Sequence, residues 1–145
     1  MFRKTSLIAA ASLALTLAFV QPSLAAGAYE PPRGSAERAA INDAVRPMME
    51  ARLGAPVEFV VERMQVANGW AFVILLPQRP GGKAINLSQT MLADLAEISG
   101  DASLYALLRE ANGRWNIIDF AIGPTDAFWY GQPLYEQLPA GLIPQ

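Results

Sequence analysis

The sequence predicts an α+β domain, in which an N-terminal helix packs on a four-stranded antiparallel sheet made of two hairpins, with a short helix between the hairpins. Two observations lead to this prediction. Apolar residues recur at helical spacing between residues 36 and 53. Two Asn-Gly pairs, at 68–69 and 112–113, each separate two apolar stretches, which is the strongest short-range signal for a hairpin. Because an apolar helix stripe and an apolar sheet face each need a partner, packing one on the other satisfies both.

The first helix is predicted over residues 36–53. Ser35 precedes it as an N-cap, and Gly54 follows it as a C-terminal stop. Pro47 lies inside the pattern, where it removes the hydrogen bond to the carbonyl of Asp43 and predicts a bend. The apolar residues that share the predicted face are Ile41, Ala44, Val45, Met48, Met49 and Leu53.

The first hairpin joins residues 57–66 to residues 70–77. The apolar positions of the first of these strands change parity near Glu62-Arg63, which predicts a β-bulge there. The second strand is apolar on both parities, so we expect it to be central and covered on both faces.

The second half of the chain repeats this arrangement. A short helix is predicted at 87–99, and a second hairpin follows at 103–123. Gly123-Pro124 ends the last strand, and the aromatic-rich tail beyond it is expected to hold one short helix and loops.

The N-terminus is typical of a cleavable Sec-type secretory signal. A basic start, Arg3 and Lys4, precedes an uncharged apolar run of 14 residues, Leu7–Val20, whereas a membrane-spanning helix needs about 20. Small residues then predict cleavage after Ala25 or, as second choice, after Ala26. We therefore expect a periplasmic or secreted protein without stable membrane insertion once the signal is removed.

The expected organisation is a signal peptide at 1–25, a flexible Pro/Gly-rich leader at 26–34 and a single α+β domain at 35–145. Without the signal, nine basic residues stand against 13 acidic ones, a formal charge of −4. A mildly acidic domain without a basic run is a poor candidate for binding nucleic acid. The expected partner is an unknown small molecule or a periplasmic protein.

The chain contains no His and no Cys. This excludes Ser-His-Asp triads, Cys-His dyads, thiol redox centres and disulfides. Zinc, copper and non-haem iron sites nearly always use one of these residues, so neither a metal nor another cofactor is expected. Catalysis would have to use carboxylates, Lys, Arg, Ser, Thr or Tyr.

A candidate site surrounds the turn before the tail. Asp119 and Asp126 flank this turn, and either could act as a general base with Tyr105 or Tyr130 as hydrogen-bond donor. In the simpler interpretation, Thr125 or Asp126 caps the tail helix and the aromatic residues fill the open end of the sheet. The candidates for binding a ligand or partner are Trp129, Tyr130, Thr125, Trp115, Asn68 and Gly69.

The first turn carries a resemblance. Gln65-Val66-Ala67-Asn68-Gly69 resembles the Gln-x-Val-x-Gly hairpin loop of cystatin-type protease inhibitors, with Ala67 in place of Val. Those inhibitors also have a Trp near a second hairpin turn, where this chain has Trp115 without the usual preceding Pro, and a glycine-containing segment before the helix, here with Gly27 and Gly34. The resemblance implies a wedge of rigid turns that enters a protease cleft.

A broader resemblance covers most of the chain after the signal. The Arg-Gly-Ser opening at 33–35, the Trp-Ala-Phe-Val strand at 70–73, Gly-Arg-Trp at 113–115 and Gly-Pro-Thr-Asp at 123–126 resemble small exported proteobacterial proteins that carry no assigned function. Phe120 stands where such relatives are expected sometimes to have His. This resemblance implies an exported domain and no particular activity.

Three hypotheses about function follow. The first is an exported, non-catalytic domain that binds a small molecule or a protein, because cystatin-like and NTF2-like folds leave a concavity between helix and sheet. The second is an NTF2-like enzyme that uses Asp119 or Asp126 as general base. The third is a cystatin-like protease inhibitor.

Overall fold

Four strands form one antiparallel sheet in the order β1-β2-β3-β4, and one long helix packs on it. A computed structural model describes residues 27–145, so the predicted signal and both predicted cleavage points lie outside the described residues. The predicted α+β class is confirmed. In chain order the elements are α1 (Ala36–Leu53), β1 (Glu58–Ala67), β2 (Trp70–Gln78), a 3-10 helix (Leu87–Gln89), α2 (Ala93–Ile98), β3 (Leu104–Ala111), β4 (Arg114–Ile122) and α3 (Pro133–Glu136).

Helix α1 has the predicted bounds and continues through Pro47. Its first turn is capped because the Ser35 hydroxyl accepts a hydrogen bond from the backbone N–H of Arg38 at 3.2 Å. At the other end Gly54 adopts φ +78°, and its N–H donates to the carbonyl of Glu50 at 2.8 Å. One residue in four faces the sheet and is buried: Ile41, Val45, Met49 and Leu53.

Both predicted hairpins form, and each turn consists of two residues with positive φ. Asn68 and Gly69 have φ of +50° and +75°, and the pair at 112–113 has φ of +53° and +72°. A turn of this conformation joins the strands well because its backbone twist matches theirs, and Asn-Gly forms it because both residues tolerate positive φ. The register of β1 against β2 shifts between Val61 and Arg63, which confirms the predicted bulge at Glu62.

The space between α1 and the sheet is filled by side chains. Apolar residues from the helix and from β1, β2 and β3 meet there in one buried cluster, including Met49, Met64, Val73, Leu75, Leu104 and Leu108, each of which is 0% exposed. The concavity expected between helix and sheet is therefore filled along the buried face of α1, because the side chains at these positions are large enough to occupy it.

The C-terminal tail covers the opposite face of the sheet. Trp129, Tyr135 and Leu142 of the tail pack with Phe72 and Leu107 of the sheet in a second buried cluster. The Trp129 ring lies 5.7 Å from that of Phe72, edge to face. The expectation that the tail aromatics fill the open end of the sheet is wrong, whereas the predicted coverage of β2 on both faces is confirmed.

Two details of the C-terminal half differ from the sequence prediction. The tail helix α3 begins at Pro133 with Gln132 as N-cap, and Thr125 and Asp126 are exposed well before it, so neither caps it. The helix predicted at 87–99 is interrupted at Thr90.

The cause of the interruption is local. The hydroxyl of Thr90 donates to the carbonyl of Leu87 at 2.8 Å and accepts from the N–H of Leu92 at 3.1 Å, and such bonds compete with helical ones. In the interrupted segment the side chains of Met91 and Ile98 are 80% and 71% exposed. Within residues 27–145, no helix combines the length and the apolar character that crossing a bilayer requires.

Candidate functional site

The two Asn-Gly turns lie side by side at one end of the sheet. β2 and β3 are antiparallel neighbours with Trp70 opposite Arg109. The carbonyl of Gly69 in the first turn therefore accepts a hydrogen bond from the N–H of Glu110 at 2.8 Å. Asn112-Gly113 follows two residues later and projects slightly beyond the first turn.

The leader reaches the same end of the sheet. Tyr29 forms an antiparallel bridge with Val66, in which the two backbone N–H groups donate to the opposite carbonyls at 2.9 and 2.8 Å. Because the pairing is antiparallel, residues that precede Tyr29 run towards Asn68, and Gly27 lies near the first turn. We call the three segments Gly27–Tyr29, Asn68-Gly69 and Asn112-Gly113 the wedge.

The first turn of the wedge is braced. Asn68, Asn112 and Gly113 are exposed and carry small side chains or none. The guanidinium of Arg109 donates to the carbonyl of Asn68 at 2.6 Å and lies 4.8 Å from the centre of the Trp70 ring. A cation held over an indole face and bonded to a turn carbonyl restrains that turn.

The carboxylate of Asp119 has its hydrogen bonds satisfied within the chain. One oxygen accepts from the hydroxyl of Tyr135 at 2.9 Å, and the other accepts from the N–H of Phe120 at 3.0 Å. Burial first, and then the hydrogen bond and the charge of Asp119, raise the pKa of Tyr135. A tyrosine with a raised pKa holds its proton more tightly, so this pair acts as a clamp between β4 and the tail.

The other catalytic candidates do not join Asp119 in a pocket. Tyr105 stacks on the Trp129 ring at 6.1 Å, and burial, followed by the charges of Glu62 and Asp101, raises its pKa. Asp126 is exposed, and Tyr130 is 67% exposed.

The candidates for ligand binding are divided between the core and the surface. Trp129 is only 8% exposed, and Trp115 packs against the cluster under α1. Thr125 and Tyr130 lie on the exposed side of the tail. Asn68 and Gly69 belong to the wedge, where they lie beside the leader and the second turn.

Three open clefts mark the surface of the described chain. One of about 420 Å³ lies between the start of α1 and β1. Another of about 570 Å³ lies beside the second hairpin turn. A third of about 230 Å³ lies near the end of β2. None of these three clefts is lined by a catalytic candidate, that is, by Asp119, Asp126, Tyr105 or Tyr130. Within residues 27–145, no group of three acidic side chains is arranged to hold a metal ion.

Two features of the site went unnoticed in the sequence. The pairing of Tyr29 with Val66 has no local signal, because a single bridge leaves no alternating pattern. Arg109 and Arg114, by contrast, lie on either side of the two-residue turn at 112–113. Such a turn fixes the register of its two strands, and this register places both arginine side chains on one face of the sheet.

The order of elements in the described chain is leader, helix, hairpin, excursion and hairpin. The leader and both turns meet at one end of the sheet. Compared with protein-family models, with curated proteins and with solved structures, the chain gives no match.

Proposed function

We propose that this chain is an exported, non-catalytic binding domain whose wedge enters a cleft of a protein partner. One observation carries the proposal: three segments that are far apart in the sequence lie at one end of the sheet. The exposed residues there include Gly27, Asn68, Asn112 and Gly113. Turns that project from the end of a sheet fit a concave surface better than a flat one.

The rigidity of the wedge supports a role in binding. The first turn is held by Arg109 and by the ladder between β2 and β3, and the leader is held by two backbone hydrogen bonds to Val66. The leader is also tied to α1, since the Tyr29 hydroxyl donates to the Glu37 carboxylate at 2.9 Å. Segments already fixed in their bound conformation lose little conformational entropy on association, which favours affinity.

The state of the catalytic candidates supports a role without chemistry. Asp119 is engaged by Tyr135, and the pKa values of Tyr135 and Tyr105 are raised away from neutrality. A general acid or base works best with a pKa near the working pH and within reach of a substrate. Asp119, Tyr135 and Tyr105 thus stabilise the packing of the tail on the sheet.

A protease with an open active-site cleft is the partner class to test first, because the first turn resembles the cystatin loop and the arrangement of the three segments agrees with it. The assay measures papain activity on a fluorogenic peptide at increasing concentrations of the purified protein. Gly27→Glu adds bulk and charge to the leader in open space, whereas Gly69→Glu adds them at φ +75° against the Arg109 guanidinium.

The matched control is Gly81→Glu. Gly81 also has positive φ, +80°, and open space, but it lies in the loop after β2, at the other end of the sheet. We expect inhibition by the wild type and by Gly81→Glu, with a loss of at least tenfold in both wedge variants. No inhibition by the wild type, or equal inhibition by all four proteins, would contradict protease inhibition through the wedge.

A further inference from the structure

We propose that the cleft beside the second turn of the wedge binds an acidic peptide segment of the partner, an inference that rests on the proposed function. The cleft has a volume of about 570 Å³. It lies on the face of the sheet that the tail covers elsewhere, at the tip of the β3–β4 hairpin. Its lining consists of Arg109, Ala111, Asn112, Arg114, Asn116 and Ile118.

The strand register brings the two arginines together. Arg109 pairs with Asn116 and Ala111 pairs with Arg114, so both cations point to the same face. They are diagonal neighbours across the ladder, and such positions are about 7–8 Å apart, within reach of each other's long side chains. Both cations line the same cleft, so an acidic peptide bound there can meet each of them with a separate carboxylate.

Neither arginine is neutralised within the described chain. The ion pairs between residues 27 and 145 are Arg38 with Glu30 and Arg46 with Asp43. No acidic residue lines the cleft. Two like charges on neighbouring positions repel each other, and a bound anion relieves this repulsion. The cleft is thus a cationic site on a domain whose other charges are mostly negative.

The cleft is shaped for a side chain with an apolar stem. Arg109 is held by the Asn68 carbonyl and the Trp70 ring, which leaves its other N–H groups for a ligand. Ile118 is 47% exposed and, with Ala111, supplies an apolar surface beside the cations. Guanidinium groups bind carboxylates in a bidentate geometry, and the apolar surface suits the methylene groups of a glutamate. An acidic peptide therefore fits better than a free anion.

Binding is measured by NMR as shifts of the Asn112 and Gly113 amides of the purified protein. The probe is the peptide acetyl-Ala-Glu-Ala-Glu-Ala-amide, and its neutral counterpart carries Gln in place of Glu. Arg114→Gln removes an exposed cation from the cleft. Arg109→Lys keeps the positive charge but replaces the planar guanidinium group, which can donate two parallel hydrogen bonds. The control is Arg33→Gln, which removes an exposed arginine near α1, away from the cleft. We expect Arg114→Gln to weaken binding about tenfold, as expected for the loss of one charge-assisted contact, and Arg109→Lys to weaken it less.

Arg33→Gln should leave the peptide affinity unchanged, and added salt should weaken it. Equal shifts with the neutral peptide, no shifts with the acidic one, or equal effects of Arg33→Gln and Arg114→Gln would overturn the proposal. Binding of inorganic phosphate as tight as that of the peptide would show that the cleft recognises any anion, which also overturns it. The peptide assay contains no protease, so its failure and the failure of the inhibition assay can be told apart.

Discussion

Replacing Trp129 by Ala should remove a large part of the stability of this domain. The side chain is 8% exposed and packs against Phe72, Phe128 and Tyr105, with ring centres 5.7, 5.2 and 6.1 Å away. A buried tryptophan removes about 150–250 Å² from water, which at about 25 cal/mol per Å² corresponds to roughly 4–6 kcal/mol. Measured truncations of this type cost about 3–5 kcal/mol.

One feature of the residue lowers this figure. The indole Nε1 of Trp129 is buried and, within the described residues, has no hydrogen-bond acceptor. A buried unsatisfied donor costs about 1–3 kcal/mol, so the net loss for Trp129→Ala should be about 3 kcal/mol. Trp129→Phe removes the orphan N–H while keeping most of the apolar contact, and we expect it to cost about 1 kcal/mol or less.

Urea unfolding followed by far-UV circular dichroism measures these differences independently of tryptophan fluorescence. Tyr130→Ala is the matched control, since this neighbouring aromatic is 67% exposed and should cost less than about 1 kcal/mol. If Trp129→Ala costs no more than Tyr130→Ala, the tail does not cover the sheet. If Trp129→Phe is as damaging as Trp129→Ala, the smaller ring does not keep the apolar contact from which this prediction is calculated.

Three further changes test other parts of the fold. Gly123→Ala should destabilise the domain by roughly 1–3 kcal/mol, because Gly123 has φ +59° and an added Cβ would overlap the Asp101 carbonyl oxygen. Its control is Gly131→Ala, which has a similar φ of +71° but open space around the added Cβ, and it should cost less in the same urea titration. The free energy of unfolding should fall as pH rises above about 10, by up to about 1.4 kcal/mol per pH unit for each tyrosine involved. The reason is the raised pKa of Tyr135, which keeps the proton bound in the folded state after the unfolded chain has lost it. Tyr135→Phe should make this decline shallower, and an unchanged slope would contradict the role of burial. Ser35→Ala should lower the thermal midpoint and cost about 1 kcal/mol, since its hydroxyl caps α1; no change would mean that the cap contributes nothing.

The elements that could be predicted are those determined by local chemistry. The bounds of α1 follow from a hydroxyl before the first turn and a glycine after the last, and both hairpins follow from Asn-Gly, which tolerates positive φ. The bulge at Glu62 could be predicted because a change of parity in an alternating strand has one simple cause.

The position of the tail could not be predicted, because no periodicity describes it. Its residues are broken by Gly and Pro, and its place is set by distant contacts such as Trp129 with Phe72. The apolar character of β2 on both parities indicated a second cover without saying which segment supplies it. For the same reason the partner of Asp119 was missed, since Tyr135 reaches it only after the tail has folded back.

Part of the candidate site was visible in the sequence and part was not. The turns were recognised from their residues, whereas their juxtaposition depends on the pairing of β2 with β3 across an excursion of more than 20 residues. The contribution of Tyr29 depends on a single bridge. The shared face of Arg109 and Arg114, by contrast, follows from the hairpin register alone, because a two-residue turn fixes which residues lie opposite each other.

Amide hydrogen exchange at Tyr29 is the most direct test that the leader belongs to the wedge. In the structure the N–H of Tyr29 donates to the carbonyl of Val66 at 2.9 Å. We expect this amide to exchange much more slowly than that of an unstructured chain, and to lose its protection when the sheet unfolds. Exchange at the unstructured rate, with the Val66 amide equally unprotected, would remove the leader from the sheet and contradict the proposed three-part binding surface.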